Sequence, residues 1–212
     1  NMVTRATADE ETLPDINDFS IAVLQNNNVQ LTWNRYADFT DGTEIAAGNY
    51  TLKATYGNIE TQGFEAPYYE GAKEFSIKKN ESTNISVICY LANVKVTTEY
   101  TELFKKYFTD YTVNIRPAGS TDISFGKNET RAAYVKPGKI SIYLSGSKQQ
   151  GNKVTFEAAT IENAKARQHY RLKFDVQAGG TELDVSFTDE TERVPITIDI
   201  SDDALNTQPP FF

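Results

Sequence analysis

The side chains in this chain that could do chemistry are carboxylates and phenols rather than histidines or thiols. The run GFEAPYYEGAKEFSI, residues 63 to 77, gathers Glu65, Glu70 and Glu74 around Tyr68 and Tyr69, and TDETER adds Asp189, Glu190 and Glu192. Two such acids at a suitable separation are all that glycoside hydrolysis needs. Clusters of this kind also arise as solvated faces in a chain with 29 Asp and Glu, and nothing marks any one of these as desolvated. A carboxylate-only hydrolase is therefore the third of three readings.

Other catalytic routes are narrower still. The single histidine, His169 in RQHYRLKFDV, alternates opposite to Tyr170, Leu172 and Phe174, which predicts a solvent-facing ring beside Arg167 and Arg171. With one His and one Cys, a zinc site would rest mainly on carboxylates, an unusual ligand set. Cys89 in ISVICYL has apolar neighbours on both alternating faces and reads as a small buried hydrophobe. Asp38, Asp41 and Glu44 around Gly42 miss the spacing of a calcium loop and read as a turn. No glycine-rich phosphate cradle is present. The sequence thus assigns no catalytic residue, no metal and no cofactor, and the expectation is a non-enzymatic protein.

What remains is aromatic. Tyr68 and Tyr69, with Trp33 and Tyr36 in LTWNRYADF, form a candidate ligand platform for sugars. The competing expectation is packing, with Phe64, Tyr68 and Tyr69 capping the end of a core while the tyrosine hydroxyls stay wet.

The elements that must carry these residues are strands. Thr, Val, Ile, Tyr and Phe are plentiful and Met occurs once, the bias of pleated, half-buried surfaces. AAGNYTLKATYG (46 to 57) and KPGKISIYLSG (136 to 146) each lead from a glycine, Gly48 or Gly138, into strict alternation. The first places Tyr50, Leu52, Ala54 and Tyr56 on one face, the second Ile140, Ile142 and Leu144. Each is followed by a strand, polar turn and strand, at 73 to 89 and 170 to 187, so the same order of elements occurs twice. FSIAVL and VQLTW form an opening hairpin around QNNN, where asparagines suit the turn. TELFKKYFTDY (101 to 111) breaks the pattern. Leu103, Phe104, Tyr107 and Phe108 make a short helical stripe with Thr101 as N-cap, and a further helical turn is expected in TIENAKARQ (160 to 168).

The organisation that follows is all-β, with two consecutive β-sandwich domains of transthyretin-like or immunoglobulin-like type and a short helix in the second. Residues 1–15 read as a disordered tether, 16–92 as the first domain, 93–200 as the second and 201–212 as a tail. A formal charge of −8 without clustered Lys and Arg excludes a nucleic-acid partner. One cysteine excludes an intrachain disulfide, and no apolar run approaches the ~20 residues of a membrane span. Asn-x-Ser/Thr triplets at Asn49, Asn80, Asn84 and Asn128 read as turn and strand-edge composition.

AAGNYTLKATYG, followed by FEAPYYEGAKEFSIKKNESTNISVICYLANVKVTTEYTELFKKYF, resembles a domain-of-unknown-function family of Bacteroidetes surface lipoproteins, and more loosely the fimbrillin-like proteins of that phylum. The resemblance covers roughly residues 16 to 200 and is densest from Phe64 to Phe108. It implies an exported cell-surface protein of the outer membrane, held by a lipid anchor upstream of Asn1, that acts as adhesin, pilus component or assembly protein. It implies other surface proteins or further copies of the chain as partners. It also implies N-terminal processing by a trypsin-like protease, for which Arg5 is the candidate point. The alternative is a surface glycan-binding module for polysaccharide capture, with Trp33, Tyr36, Tyr68 and Tyr69 as its contacts.

Overall fold

The structure is a computed structural model that describes residues 13–39, 45–79, 83, 85–149, 151, 153–176, 183–191 and 196–200. The strands, in chain order, are β1 (Ser20–Gln25), β2 (Asn28–Trp33), β3 (Gly48–Tyr56), β4 (Gly63–Phe64), β5 (Tyr69–Ile77), β6 (Ile85–Leu91), β7 (Val94–Tyr100), β8 (Phe108–Pro117), β9 (Ile123–Gly126), β10 (Ala133–Val135), β11 (Gly138–Lys148), β12 (Lys153–Ala164), β13 (Gln168–Val176), β14 (Leu183–Thr191) and β15 (Ile196–Ile200). One α-helix, α1 (Glu102–Tyr107), precedes β8. The all-β expectation with one short helix is met. Among the described residues, no helix is long and apolar enough to cross a membrane.

The chain divides into two compact units: Asn1–Tyr56 with Ala72–Val87 and Thr197–Phe212, and Gly57–Gly71 with Ile88–Ile196. In the first, β1 and β2 form the expected opening hairpin, paired from Gln25 opposite Asn28 to Ile21 opposite Trp33. Asn26 and Asn27 hold φ of 50° and 63°. Two consecutive left-handed residues make the tight turn whose twist matches the flanking strands, and asparagine tolerates that region better than other side chains with a Cβ. β1 also pairs with β3, Val23 opposite Leu52. Period-two alternation buries Ile21 and Val23 on β1 and Tyr50, Leu52 and Ala54 on β3, with Phe19, Ile77, Ile85 and Val87 also in the interior. The sheet order is β15-β6-β5-β3-β1-β2.

The second unit contains two sheets, β14-β13-β7-β10-β4 and β12-β11-β8-β9. Val94, Val96, Leu172 and Phe174 from the first share one buried cluster with Val113, Ile115, Ile140, Ile142 and Leu144 from the second. Two sheets packed face to face around one core make a sandwich. Helix α1 plugs it: the Thr101 hydroxyl accepts the Phe104 N–H at 3.2 Å, and Phe104 is fully buried in the same cluster. Phe104 meets Phe108 at 4.8 Å and Tyr111 at 4.9 Å, ring centre to ring centre.

Three expectations are corrected. Leu103 is 54% exposed. The helix is short, Phe104 and Phe108 take its inward line, and Leu103 lies about 100° round from it. TIENAKARQ is not helical: residues up to Ala164 belong to β12. There Ile161 faces Ile140 and Ala164 faces Gly138, so a β-bulge, not a helical turn, creates the three-residue spacing of buried positions. His169 is corrected with the site below.

The repeated order of elements does not become a repeated topology. β3 and β5 are neighbours in one sheet, whereas β11 and β13 lie in different sheets and β13 pairs with β7 in parallel. Two glycines mark close approaches of backbone. A Cβ on Gly71 would stand 2.3 Å from the Ile88 carbonyl oxygen, and one on Gly57, at φ +78°, 2.3 Å from that of Pro67.

Candidate functional site

The sequence-predicted aromatics fall into two groups, one in each unit. In the first unit, Trp33 ends β2 and Tyr36 opens a single 3-10 turn, Tyr36–Asp38. Both rings meet Phe39, Trp33 edge-on at 5.0 Å and Tyr36 stacked at 6.3 Å. All three are half-buried. Arg35 between them is bonded to Asp18 at 2.8 Å, and the Tyr36 N–H donates to the Phe19 carbonyl. The base of the β1–β2 hairpin is thereby closed by an aromatic trio and one ion pair.

In the second unit, Tyr69 begins β5 and is only 2% exposed, so its ring serves the interior. Tyr68 is half-buried and its hydroxyl donates to Glu70 at 2.9 Å. Burial first, and that acidic partner second, push the Tyr68 phenol up to about 12. A phenol so raised holds its proton firmly at neutral pH.

The neighbourhood of Tyr68 contains residues that the sequence reading did not single out. Asn93 is fully buried, its Oδ1 accepts the Tyr68 N–H, and its backbone carbonyl accepts the Arg167 N–H at 2.9 Å. The Ala92 N–H donates to the Tyr68 carbonyl at 2.8 Å. Arg167, at φ +71°, places its guanidinium 4.0 Å from the centre of the Tyr90 ring, and Tyr90 pairs in register with Glu70. One asparagine thus ties together three connections: the one before β5, the β6–β7 turn and the turn before β13. A lone Asn inside the apolar run ISVICYLANVKV was the available signal, because a polar group there must find a backbone partner.

The glutamates of the opening motif do separate work. Glu65, at φ +54°, pairs with Arg131 at 3.2 Å, Glu70 takes the Tyr68 hydroxyl, and Glu74 belongs to the first unit. Arg131 also grips Glu129 at 2.8 Å and lies 4.8 Å from the Phe64 ring centre. Its guanidinium holds the Glu129 carboxyl down at about 2. Asp189, Glu190 and Glu192 lie outside the described side chains, and Arg5, Asp41, Glu44, Asn80 and Asn84 lie outside the described residues.

His169 is buried, with Nε2 2.9 Å from the Thr97 hydroxyl. It does share a face with the exposed Arg171 and Lys173, as alternation requires. The difference is that β13 is an interior strand between β14 and β7, and at its first residues both faces are covered. Alternation assigns a face and not its exposure. Cys89 is fully buried as expected, and burial, with the nearby Glu70 charge adding to it, raises its thiol to about 11. Among the described residues, every resolved shift moves its group away from neutral pH, the opposite of what a general acid or base requires.

Residues 1–202 match the family model described as Domain of unknown function (DUF4493). No curated protein matches the chain. Among solved structures, the chain is similar to a provisionally named cell adhesion protein of Bacteroides uniformis, with TM-score 0.54, 12% identity, and 84% of this chain and 93% of that one covered. It is equally similar to a fimbrial assembly protein of Parabacteroides distasonis, with TM-score 0.54, 13% identity, and 82% and 88% covered. At these identities the likeness is one of fold. It accords with the resemblance read from the sequence.

Proposed function

The chain belongs to the DUF4493 family, and from that premise we propose that it is a non-enzymatic cell-surface protein of the adhesin or pilus-assembly kind. The observation that carries the proposal is a fold shared over more than four fifths of both chains with a structure named for fimbrial assembly. The site supports it in a second way. The perturbed groups are held in ion pairs, hydrogen bonds or the core, which suits a scaffold rather than a reaction centre. In this reading an upstream lipid anchor holds the protein to the outer membrane, Arg5 is the point of N-terminal processing, and partners are other surface proteins or further copies, joined by strand pairing. Deleting the gene in producing cells is expected to reduce attachment or surface fibres, with restoration by the wild-type chain. Unchanged attachment and unchanged fibres would remove the proposal.

A second reading, glycan capture, is favoured by the Trp33–Phe39–Tyr36 trio, whose half-buried rings stand beside Arg35 and Asp18. Buried Tyr69 has no part in it. A glycan array probed with wild type and with Trp33→Ala tests this reading. It predicts binding that the variant loses, and equal signals from both would dismiss it.

A further inference from the structure

Among the described residues the three sheets have six edges, and five of them are short or charged. β4 and β9 span two and four residues. β14 carries Asp184, Asp189 and Glu190, and the five-residue β15 carries Asp199. β12 is long, but it bears Lys153, Glu157 and Glu162, and two bulges break its pairing with β11. Charges, shortness and bulges are the devices by which sheet edges are kept from pairing with other chains.

β2 lacks the first two of these. It runs for six residues, Asn28–Trp33, with no charged side chain and a single bulge. It lies within the longest uncharged run of the chain, Phe19 to Asn34, which is bounded by Asp18 and Arg35. Those two flanking charges neutralise each other at 2.8 Å. Among the described residues β2 pairs only with β1, so alternate backbone N–H and C=O groups of β2 face outward. Val29 is 58% exposed, and Gln30 and Thr32 are exposed as well.

We propose that the outer edge of β2 pairs antiparallel, about a two-fold axis, with β2 of a second copy of this chain, joining their six-stranded sheets edge to edge. Charge favours a second copy as the partner. Two copies of a chain carrying −8 repel each other over most approaches, and among the described edge strands longer than four residues β2 is the one that carries no acid. In the antiparallel arrangement the neutral Asn26–Asn27 turn of each copy lies beside the internally neutralised Asp18–Arg35 pair of the other. Valine, leucine, threonine and tryptophan in β2 also favour cross-strand packing. The inference deepens the assembly reading above by naming the edge and the partner.

A six-residue strand pair is a small interface, so the dimer is weak in solution and grows with concentration. Sedimentation equilibrium of the full chain over a wide concentration range tests the proposal, comparing wild type with the Val29→Lys/Thr32→Lys double variant. Wild type is expected to rise toward twice the monomer mass, and the variant to associate at least about tenfold more weakly, because a two-fold axis between positions 30 and 31 sets the lysine at 29 of each copy opposite the lysine at 32 of the other. The two lysines also reduce the net negative charge. A general charge effect would therefore strengthen association, whereas blocking of the edge weakens it. Thermal unfolding confirms that the variant is folded, and Gln30→Lys serves in its place if it is not. A wild type that stays monomeric, or a folded variant that associates as wild type does, overturns the inference. If wild type stays monomeric while producing cells still display fibres, the β2 edge is excluded and the assembly reading stands. If β2 pairing occurs in a protein that never reaches the surface, the assembly reading fails and the edge inference stands.

Discussion

The β1–β2 hairpin and the α1 end of the second unit are both rich in aromatic and β-branched residues, yet they direct them oppositely. Around α1, Phe104, Phe108, Tyr111 and Phe174 are buried together, with Tyr100 stacked on Phe174 at 5.5 Å. At the hairpin, Val29 stands 58% exposed, and Trp33, Tyr36 and Phe39 remain half-buried. Similar side chains hold one region together and leave the other available for contact. What separates them is their place in the sheets: α1 closes a core shared by two sheets, while β2 is the outermost strand of one. An exposed valine on a charge-free edge strand is open to pairing with a further strand, whereas the buried rings around α1 concern folding.

The comparison can be broken most directly at its buried end. Phe104→Ala is expected to destabilise the chain by about 3–5 kcal/mol, because a fully buried ring is lost and its neighbours cannot all collapse into the space. The thermal midpoint should fall by on the order of 10 °C, and a change within the error of the measurement would show that α1 is no plug. Asn93→Ala comes next, at about 1–3 kcal/mol, since it leaves the Tyr68 N–H without its acceptor. Chemical denaturation measures it, and a negligible cost would mean that water replaces the amide. At the hairpin, Asn27→Ala should cost only about 1 kcal/mol, because alanine lacks the short polar side chain that lets asparagine tolerate the left-handed region, while Asn27→Gly should be neutral or stabilising. Equal effects of Ala and Gly would contradict the turn assignment.

The smallest expected effect is on pH dependence. Glu129 has its folded value lowered from 4.5 to about 2, so its contribution to stability is present above about 4.5 and is lost as pH falls toward about 2. Glu129→Gln is expected to flatten the thermal midpoint against pH within that window and to leave its slope above pH 5 unchanged. A variant whose profile is as steep as wild type would show that the Arg131 pair contributes nothing to acid stability.

Much of the fold was legible because it rests on local rules. The asparagine turn, the glycine-led strands and the Thr101 cap each follow from a few adjacent residues. The misses share another cause. Bulges in β12 imitate helical spacing, so Ile161 and Ala164 point to the wrong element unless the partner strand is known. The exposure of His169 depends on β7 and β14, far away in sequence. The aromatic candidates were divided rather than gathered, because Tyr68 and Tyr69 fold with Asn93 and Arg167, and Trp33 and Tyr36 with Phe39. The pairing of Asp18 with Arg35 was equally hidden, although it brackets the uncharged run that makes β2 distinctive.

Mild trypsin treatment of intact producing cells, followed by detection of the chain on a gel run without boiling, decides whether this chain is a surface assembly protein. The account predicts that the chain is clipped on intact cells and that untreated cells give bands above the monomer. A chain that resists trypsin until the cells are lysed, and that runs only as monomer, would contradict it.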